Sequence, residues 1–135
     1  MTEEASGATP VGDDWQADWI RMLGRVSEVA SELHDMNPTA EESYRRLRSW
    51  IYEERADGLS RAHKELVMIM MNTAVANKEG ALTHLKHGLN HGLTVTEVRE
   101  ALSLSFLFLG VIGYLRVGQA LWQACAEFES PPSGG

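Results

Sequence analysis

The chain has 135 residues, 44% of them apolar, enough for one domain with a real core. Its formal charge of −7 and pI of about 5.2, without a Lys/Arg-rich block, argue against a nucleic-acid or anionic-membrane partner, since both demand clustered positive charge. The single cysteine, Cys125, leaves no intrachain disulfide and no CxxC redox or zinc motif, and it fits a reducing, cytoplasmic compartment.

The N-terminal stretch MTEEASGATP is acidic and small, without the basic start and apolar run of a signal peptide. Residues 1–12 and 130–135 are rich in Gly, Pro and Ser and are expected to be disordered tails around a single helical domain at 13–129. A first helix is expected from about Asp14 to Asp35, where Trp15, Trp19, Met22, Val26, Val29 and Leu33 recur at steps of three and four. Asn37-Pro38 stops it. Thr39-x-x-Glu42 has the form of a capping box for a second helix with the apolar stripe Tyr44, Leu47, Trp50 and Ile51. The arginines of YRRLR, Arg45, Arg46 and Arg48, read as a solvated face able to receive a carboxylate.

Beyond the helix breaker ADGL, Ser60 suits the N-cap of a third helix, Arg61 to about Asn77. Its centre ELVMIMMNTAVA is apolar nearly all round, as in a helix surrounded by protein, with its methionines as core filler. Gly80 marks a junction before a histidine helix, Ala81–His91, which Gly92 ends as a C′ residue. Thr94-x-x-Glu97 caps a long final segment to about Phe128 that Gly110 and Gly113 bend or split. Its apolar run, Ala101 to Leu115, is 15 residues long; a spanning helix needs about 20, so it reads as a buried core helix. With no alternating strand pattern and no repeat, the fold class is all-α, a compact bundle of five or six helices.

Three of the five histidines, His84, His87 and His91, fall in ALTHLKHGLNHG. At helical spacing they lie within about 60° on one face, so two of them could share a metal ion. All three on one ion are strained, because His84 and His91 are separated by a rise of about 10.5 Å while each nitrogen must reach about 2.1 Å from zinc. A metal would take two of them plus a carboxylate from elsewhere; otherwise the face is wet, with one useful histidine. Glu65, between a polar first turn and an apolar helix, either complements the helix dipole or is a partly desolvated carboxylate with a raised pKa suited to proton transfer. The four tryptophans are core or interface anchors.

From Leu59 to about Leu121 the sequence resembles the carboxymuconolactone decarboxylase and alkylhydroperoxidase D-like superfamily. The features that carry this are LS…KEL opening an apolar helix, His84 19 residues after Glu65, Gly92 eight after His84, and T-x-x-E-x-x-E-A-L from Thr94. The resemblance implies the all-helical family fold, assembled as a trimer or hexamer, with His84 on the characteristic histidine and Glu65 on the relay carboxylate of the alkylhydroperoxidase branch. That branch's reactive cysteines fall here on Asn77 and Gly80. GALTHLKHGLNHG keeps His84, Leu85, Asn90 and Gly92 of the decarboxylase branch, but has Gly80 in place of a Glu and His91 in place of an Asn.

The activity this implies is a lyase of the decarboxylase type, without cofactor, acting on a small carboxylated or lactone metabolite of aromatic catabolism. His84 would donate the proton and Glu65 would orient it or relay the proton. His87 and His91 would bind substrate oxygens, and Arg61 would offset the substrate charge, with Arg99 and Arg116 as further candidates. The alternatives are a metal-dependent enzyme with His84, His87 and His91 as ligands, a thiol peroxidase in which Cys125 needs an external resolving thiol, and a non-catalytic binding subunit. The expected partners are a small molecule and further copies of the chain in the cytoplasm, with no nucleic acid and no membrane.

Overall fold

The computed structural model describes residues 12 and 14–130. The tails expected at 1–12 and 130–135 lie outside them, Gly12 and Ser130 excepted. Among the described residues all regular structure is helical. The chain forms two compact units, one ending at Gly58 and the other beginning at Leu59.

The first unit holds α1 (Trp15–Leu23), α2 (Glu28–Met36) and α3 (Pro38–Ile51). The single helix expected over 14–35 is two, because Gly24 adopts a left-handed φ of 80° and ends α1. Ser27 then caps α2 by accepting from the Ala30 N–H. Asn37 ends α2 and caps α3, its Oδ1 accepting from Thr39 and Ala40 N–H. The expected Thr39 cap is thus displaced by two residues. Pro38 lacks an N–H and fits the first helical position, so the capping task falls to the residue before it.

The burial pattern of α3 corrects the sequence reading more sharply. Tyr44, Leu47, Trp50 and Ile51 are exposed, whereas Glu41 and Arg45 are buried. The Arg45 side chain is only 4% exposed. Its guanidinium pairs closely with Asp18, bonds Glu41 through Nε at 2.8 Å and donates to the Gly12 carbonyl at 2.9 Å. Trp19 Nε1 donates to Glu41 at 2.7 Å, and Arg21 to Asp18 at 2.7 Å. A rigid fork of five N–H donors can satisfy two carboxylates and a carbonyl together, so the polar face of α3 is the one that turns inward. Only Arg46 matches the solvated face expected of this arginine cluster in full, paired with exposed Glu42.

The second unit holds α4 (Arg61–Ala74), α5 (Lys78–Asn90), α6 (Val95–Gly113), a π-helical turn (Tyr114–Gly118) and α7 (Gln119–Glu129). Ser60 caps α4, Thr94 and Glu97 form the expected capping box of α6, and Gly92 follows α5 with a φ of 97°. Gly80 lies inside the first turn of α5 and is not a junction; Asn77 caps that helix three residues earlier. A Cβ at Gly80 would lie 2.4 Å from Asn72 Oδ1, so the glycine makes room for the Asn72–Asn77 hydrogen bond that closes the α4–α5 connection. Ile69, Ala81, Leu85, Val98, Val117, Leu121 and Cys125 form the centre of the core.

Two helices expected to be enclosed are not. On α4, Val67 and Met71 are exposed, and on α6 Leu107 and Phe108 are each 87% exposed. The helical run Val95–Glu129 is long and apolar enough to cross a membrane, yet only 17% of its most apolar stretch is buried. One side of that run does build the core, through Val98, Leu102, Val117 and Leu121. A unit of this size has only enough neighbouring surface to cover one side of each apolar helix.

Candidate functional site

The candidate site lies where α4 meets α5. Arg61 and Glu65, one turn apart on α4, face His84 and His87 on α5. Their approach depends on Gly88. A Cβ there would lie 2.8 Å from Leu93 Cδ2 and 3.2 Å from Glu65 Cβ, so a larger residue would push α5 away from Glu65. The resemblance did not single out Gly88. Its sequence signal is a small residue one helical turn after His84, on the side that must meet α4.

Glu65 is 0% exposed, and each of its oxygens is bonded: Oε1 accepts from Arg61 Nε at 3.0 Å, and Oε2 lies 2.6 Å from His84 Nδ1. Burial works to raise its pKa and is the largest single influence. The hydrogen bonds and charges of His84 and Arg61 together outweigh it and hold the carboxyl at about 2. The raised pKa expected for Glu65 is therefore reversed, because the sequence showed the desolvation and not the two partners.

An ionised carboxylate can only accept a hydrogen bond, so His84 Nδ1 carries the proton. The exchangeable nitrogen is then Nε2, which has no hydrogen-bond partner among the described residues. With its side chain 22% exposed, His84 is the member of the pair that meets solvent. The His87 ring packs edge-on to it, centroids 6.3 Å apart. Burial pushes the His87 imidazole below its ordinary pKa; Glu65 opposes this, while Arg61, His84 and His91 add to it. His87 is thus a neutral hydrogen-bonding group at pH 7.

The structure brings Glu65, His84, His87 and Arg61 together. One donor atom from each of Glu65, His84 and His87 lies within 4.8 Å of the others, a spacing that could hold a metal ion. His91 does not join them; its Nδ1 is bonded to the His87 carbonyl at 2.7 Å, and its side chain faces solvent. Arg61 is committed through Nε to Glu65. Arg99 lines a separate hollow, and Arg116 is exposed. The two remaining histidines have other tasks: His34 stacks on Trp15 with ring centroids 4.0 Å apart, and His63 bonds Glu97 at 2.6 Å, linking α4 to the start of α6. Cys125 is fully buried, and burial, with the charge of Glu129 adding to it, pushes its thiol up to about 11.

No family model matches the chain, and no curated protein matches it. Among solved structures it is similar to a crystal structure from Burkholderia xenovorans LB400 described as a "putative carboxymuconolactone decarboxylase", with a TM-score of 0.70 and 24% identity over 85% of this chain and 88% of that one. At that identity the likeness is one of backbone arrangement. It bears out the fold that the sequence resemblance implied: the chain has the all-α, carboxymuconolactone decarboxylase-like fold.

Proposed function

We propose that the protein is a lyase of the decarboxylase type that uses His84 as its proton donor and needs no cofactor. The observation that carries this is the Glu65–His84 pair, in which a buried, ionised carboxylate fixes the imidazole through Nδ1 and leaves Nε2 for chemistry. Loss of CO2 from a carbon next to a carbonyl breaks a C–C bond and leaves the electron pair on that carbon as an enolate. A protonated His84 then transfers its Nε2 proton to the carbon, and solvent restores it. Glu65 stabilises the imidazolium, as a buried carboxylate does for a catalytic histidine. Neutral His87 suits a hydrogen bond to the substrate carbonyl. The positive charge of Arg61 beside the pair suits a second carboxylate. His91, on the outer end of the same face, contributes at most to substrate entry.

Turnover of small β-keto and lactone carboxylic acids in D2O tests this reading. CO2 release with one deuterium at the former carboxyl-bearing carbon is expected, and it should be lost in His84→Gln. Full activity in that variant would overturn it.

A second reading rests on the donor set of Glu65, His84 and His87, two imidazoles and a carboxylate, which is a zinc-type combination. Metal analysis of untagged protein decides it: stoichiometric metal that disappears in His87→Ala would favour this reading over the first. A peroxidase role has no support from Cys125, since a buried thiol with a raised pKa is a poor nucleophile. We also infer assembly into a trimer or a multiple of three, for which the exposed apolar faces of α4 and α6 provide support. Light scattering at micromolar concentration checks it. The single buried thiol suits a cytoplasmic setting.

A further inference from the structure

The segment from α6 to α7 forms a hollow of about 410 Å3, lined by Arg99, Leu102, Ser103, Phe106, Tyr114 and Trp122. It shares no residue with the Glu65–His84 cluster, and its volume lies in the range of small-molecule sites, roughly 300–1,000 Å3. Arg99, Ser103 and Phe106 are spaced at i, i+4 and i+7 and so share one face of α6.

Tyr114 reaches that face only because the helix is interrupted. In a continuous α-helix, residues 106 and 114 would be about 12 Å apart along the axis. Here Gly110 takes φ 64° and ψ −162°, a π-helical turn follows, and the Phe106 and Tyr114 rings meet with centroids 5.4 Å apart. Gly118 completes the arrangement. A Cβ there would lie 3.0 Å from Tyr114 Cδ2 and 3.6 Å from Leu102 Cδ2, so its absence lets the tyrosine ring settle against the helix. Trp122 packs against the core and gives the hollow a fixed wall.

The polar groups are few and grouped. The Arg99 guanidinium has no hydrogen bond or ion pair among the described residues. Ser103 donates its hydroxyl to the Arg99 carbonyl at 2.8 Å, a bond from which the hydroxyl can rotate toward a ligand. Three aromatic walls with one cation at the rim match a flat, apolar ligand bearing one negative charge. Interruptions of the π-helical kind recur at functional sites.

We propose that this hollow binds an aromatic monocarboxylate, its ring against Phe106, Tyr114 and Trp122 and its carboxylate on Arg99. The site is independent of the lyase reading and stands or falls without it. Calorimetric titration of the full chain with benzoate, and with neutral benzamide, tests it, together with 1H–15N spectra that report the Trp122 indole N–H. Benzoate should bind once per chain with a Kd on the order of millimolar or tighter, shift the Trp122 signal and bind at least about tenfold more tightly than benzamide, the factor expected from losing a charge-assisted hydrogen bond. Arg99→Gln should remove that preference. Gly118→Ala, whose Cβ would crowd the Tyr114 ring at 3.0 Å while keeping Arg99, should weaken both ligands, with circular dichroism checking that the helices persist. His84→Gln should bind benzoate as the wild type does. Absence of saturable binding, equal affinity for the two ligands, or benzoate affinity lost in His84→Gln but kept in Arg99→Gln would each overturn the proposal.

Discussion

Arg45 sits between Asp18 and Glu41 in the first unit, and Glu65 sits between Arg61 and His84 in the second. Both networks bury carboxylates, and both use a Glu and an Arg one helical turn apart on a single helix. They differ in their outer ends. In the first, Asp18, Glu41 and Arg45 are all buried, and each of the three nitrogens of the central guanidinium is bonded within the unit. In the second, the chain of bonds ends on a partly exposed histidine whose Nε2 has no hydrogen-bond partner among the described residues. A closed network of permanent charges can only hold the fold together. An open one that ends on a partly exposed imidazole can also do chemistry.

The largest expected effect is on the closed network. Arg45→Met leaves Asp18 and Glu41 buried without their cation and should cost about 3–5 kcal/mol in urea unfolding of the full chain. A loss below about 1 kcal/mol would mean that the carboxylates find water or protons easily and that the network is not structural.

The matching change in the open network should fall on activity. His84→Gln keeps the Glu65–Arg61 bond and offers Glu65 an amide N–H in place of the imidazole, so it should cost less stability than Arg45→Met, while kcat/KM drops by about 10²–10⁴, the usual contribution of a general acid. Equal losses of stability and rate would erase the distinction between the two networks.

Acid titration refines the comparison within the second unit. The folded pKa of Glu65, about 2, lies below its ordinary value of 4.5, so its stabilisation is complete above pH 4.5 and is lost as the pH falls toward 2. The change amounts to at most about 3 kcal/mol. Thermal unfolding between pH 2 and pH 5 should therefore be steeper in the wild type than in Glu65→Gln. Asp18, whose pKa is also lowered despite the opposing effect of burial, will contribute acid sensitivity to both proteins, so the difference between them is the quantity to read.

The smallest effect is expected at the exposed Arg46–Glu42 pair, which has the same one-turn spacing as Glu41–Arg45. Arg46→Ala should change stability by less than about 1 kcal/mol, and by less still at high salt. A larger loss would show that burial is not what separates the two arginines.

The two arginines also mark where sequence reasoning succeeds and fails. Arg45 and Arg46 are neighbours in YRRLR with the same local propensity, and only the position of α1 decides which one is buried. The α3 stripe Tyr44, Leu47, Trp50 and Ile51 has regular helical spacing, yet it turns outward, because periodicity shows that a helix has two faces and not which of them meets a partner. The candidate site was more accessible. It was legible through the family resemblance, whose 19-residue spacing falls on Glu65 and His84; the spacing alone does not show that the two helices pack with these side chains facing each other. The depressed pKa of Glu65 was not accessible, since it depends on the hydrogen bonds of Arg61 and His84 to specific oxygens.

What the sequence determined by itself is what lies within one or two helical turns: the all-α class, the Ser60 cap, the capping box of Thr94 and Glu97, and the glycine end of α5. These follow from backbone hydrogen bonding and side-chain spacing, which adjacent residues specify among themselves. Only the tertiary structure decided that Arg45 is buried while Leu107 and Phe108 are exposed, that Gly88 admits Glu65 to the histidine helix, and that the interruption at Gly110 brings Tyr114 onto Phe106. Each of these depends on which surfaces share a limited interior, and that competition is settled between residues distant in the chain.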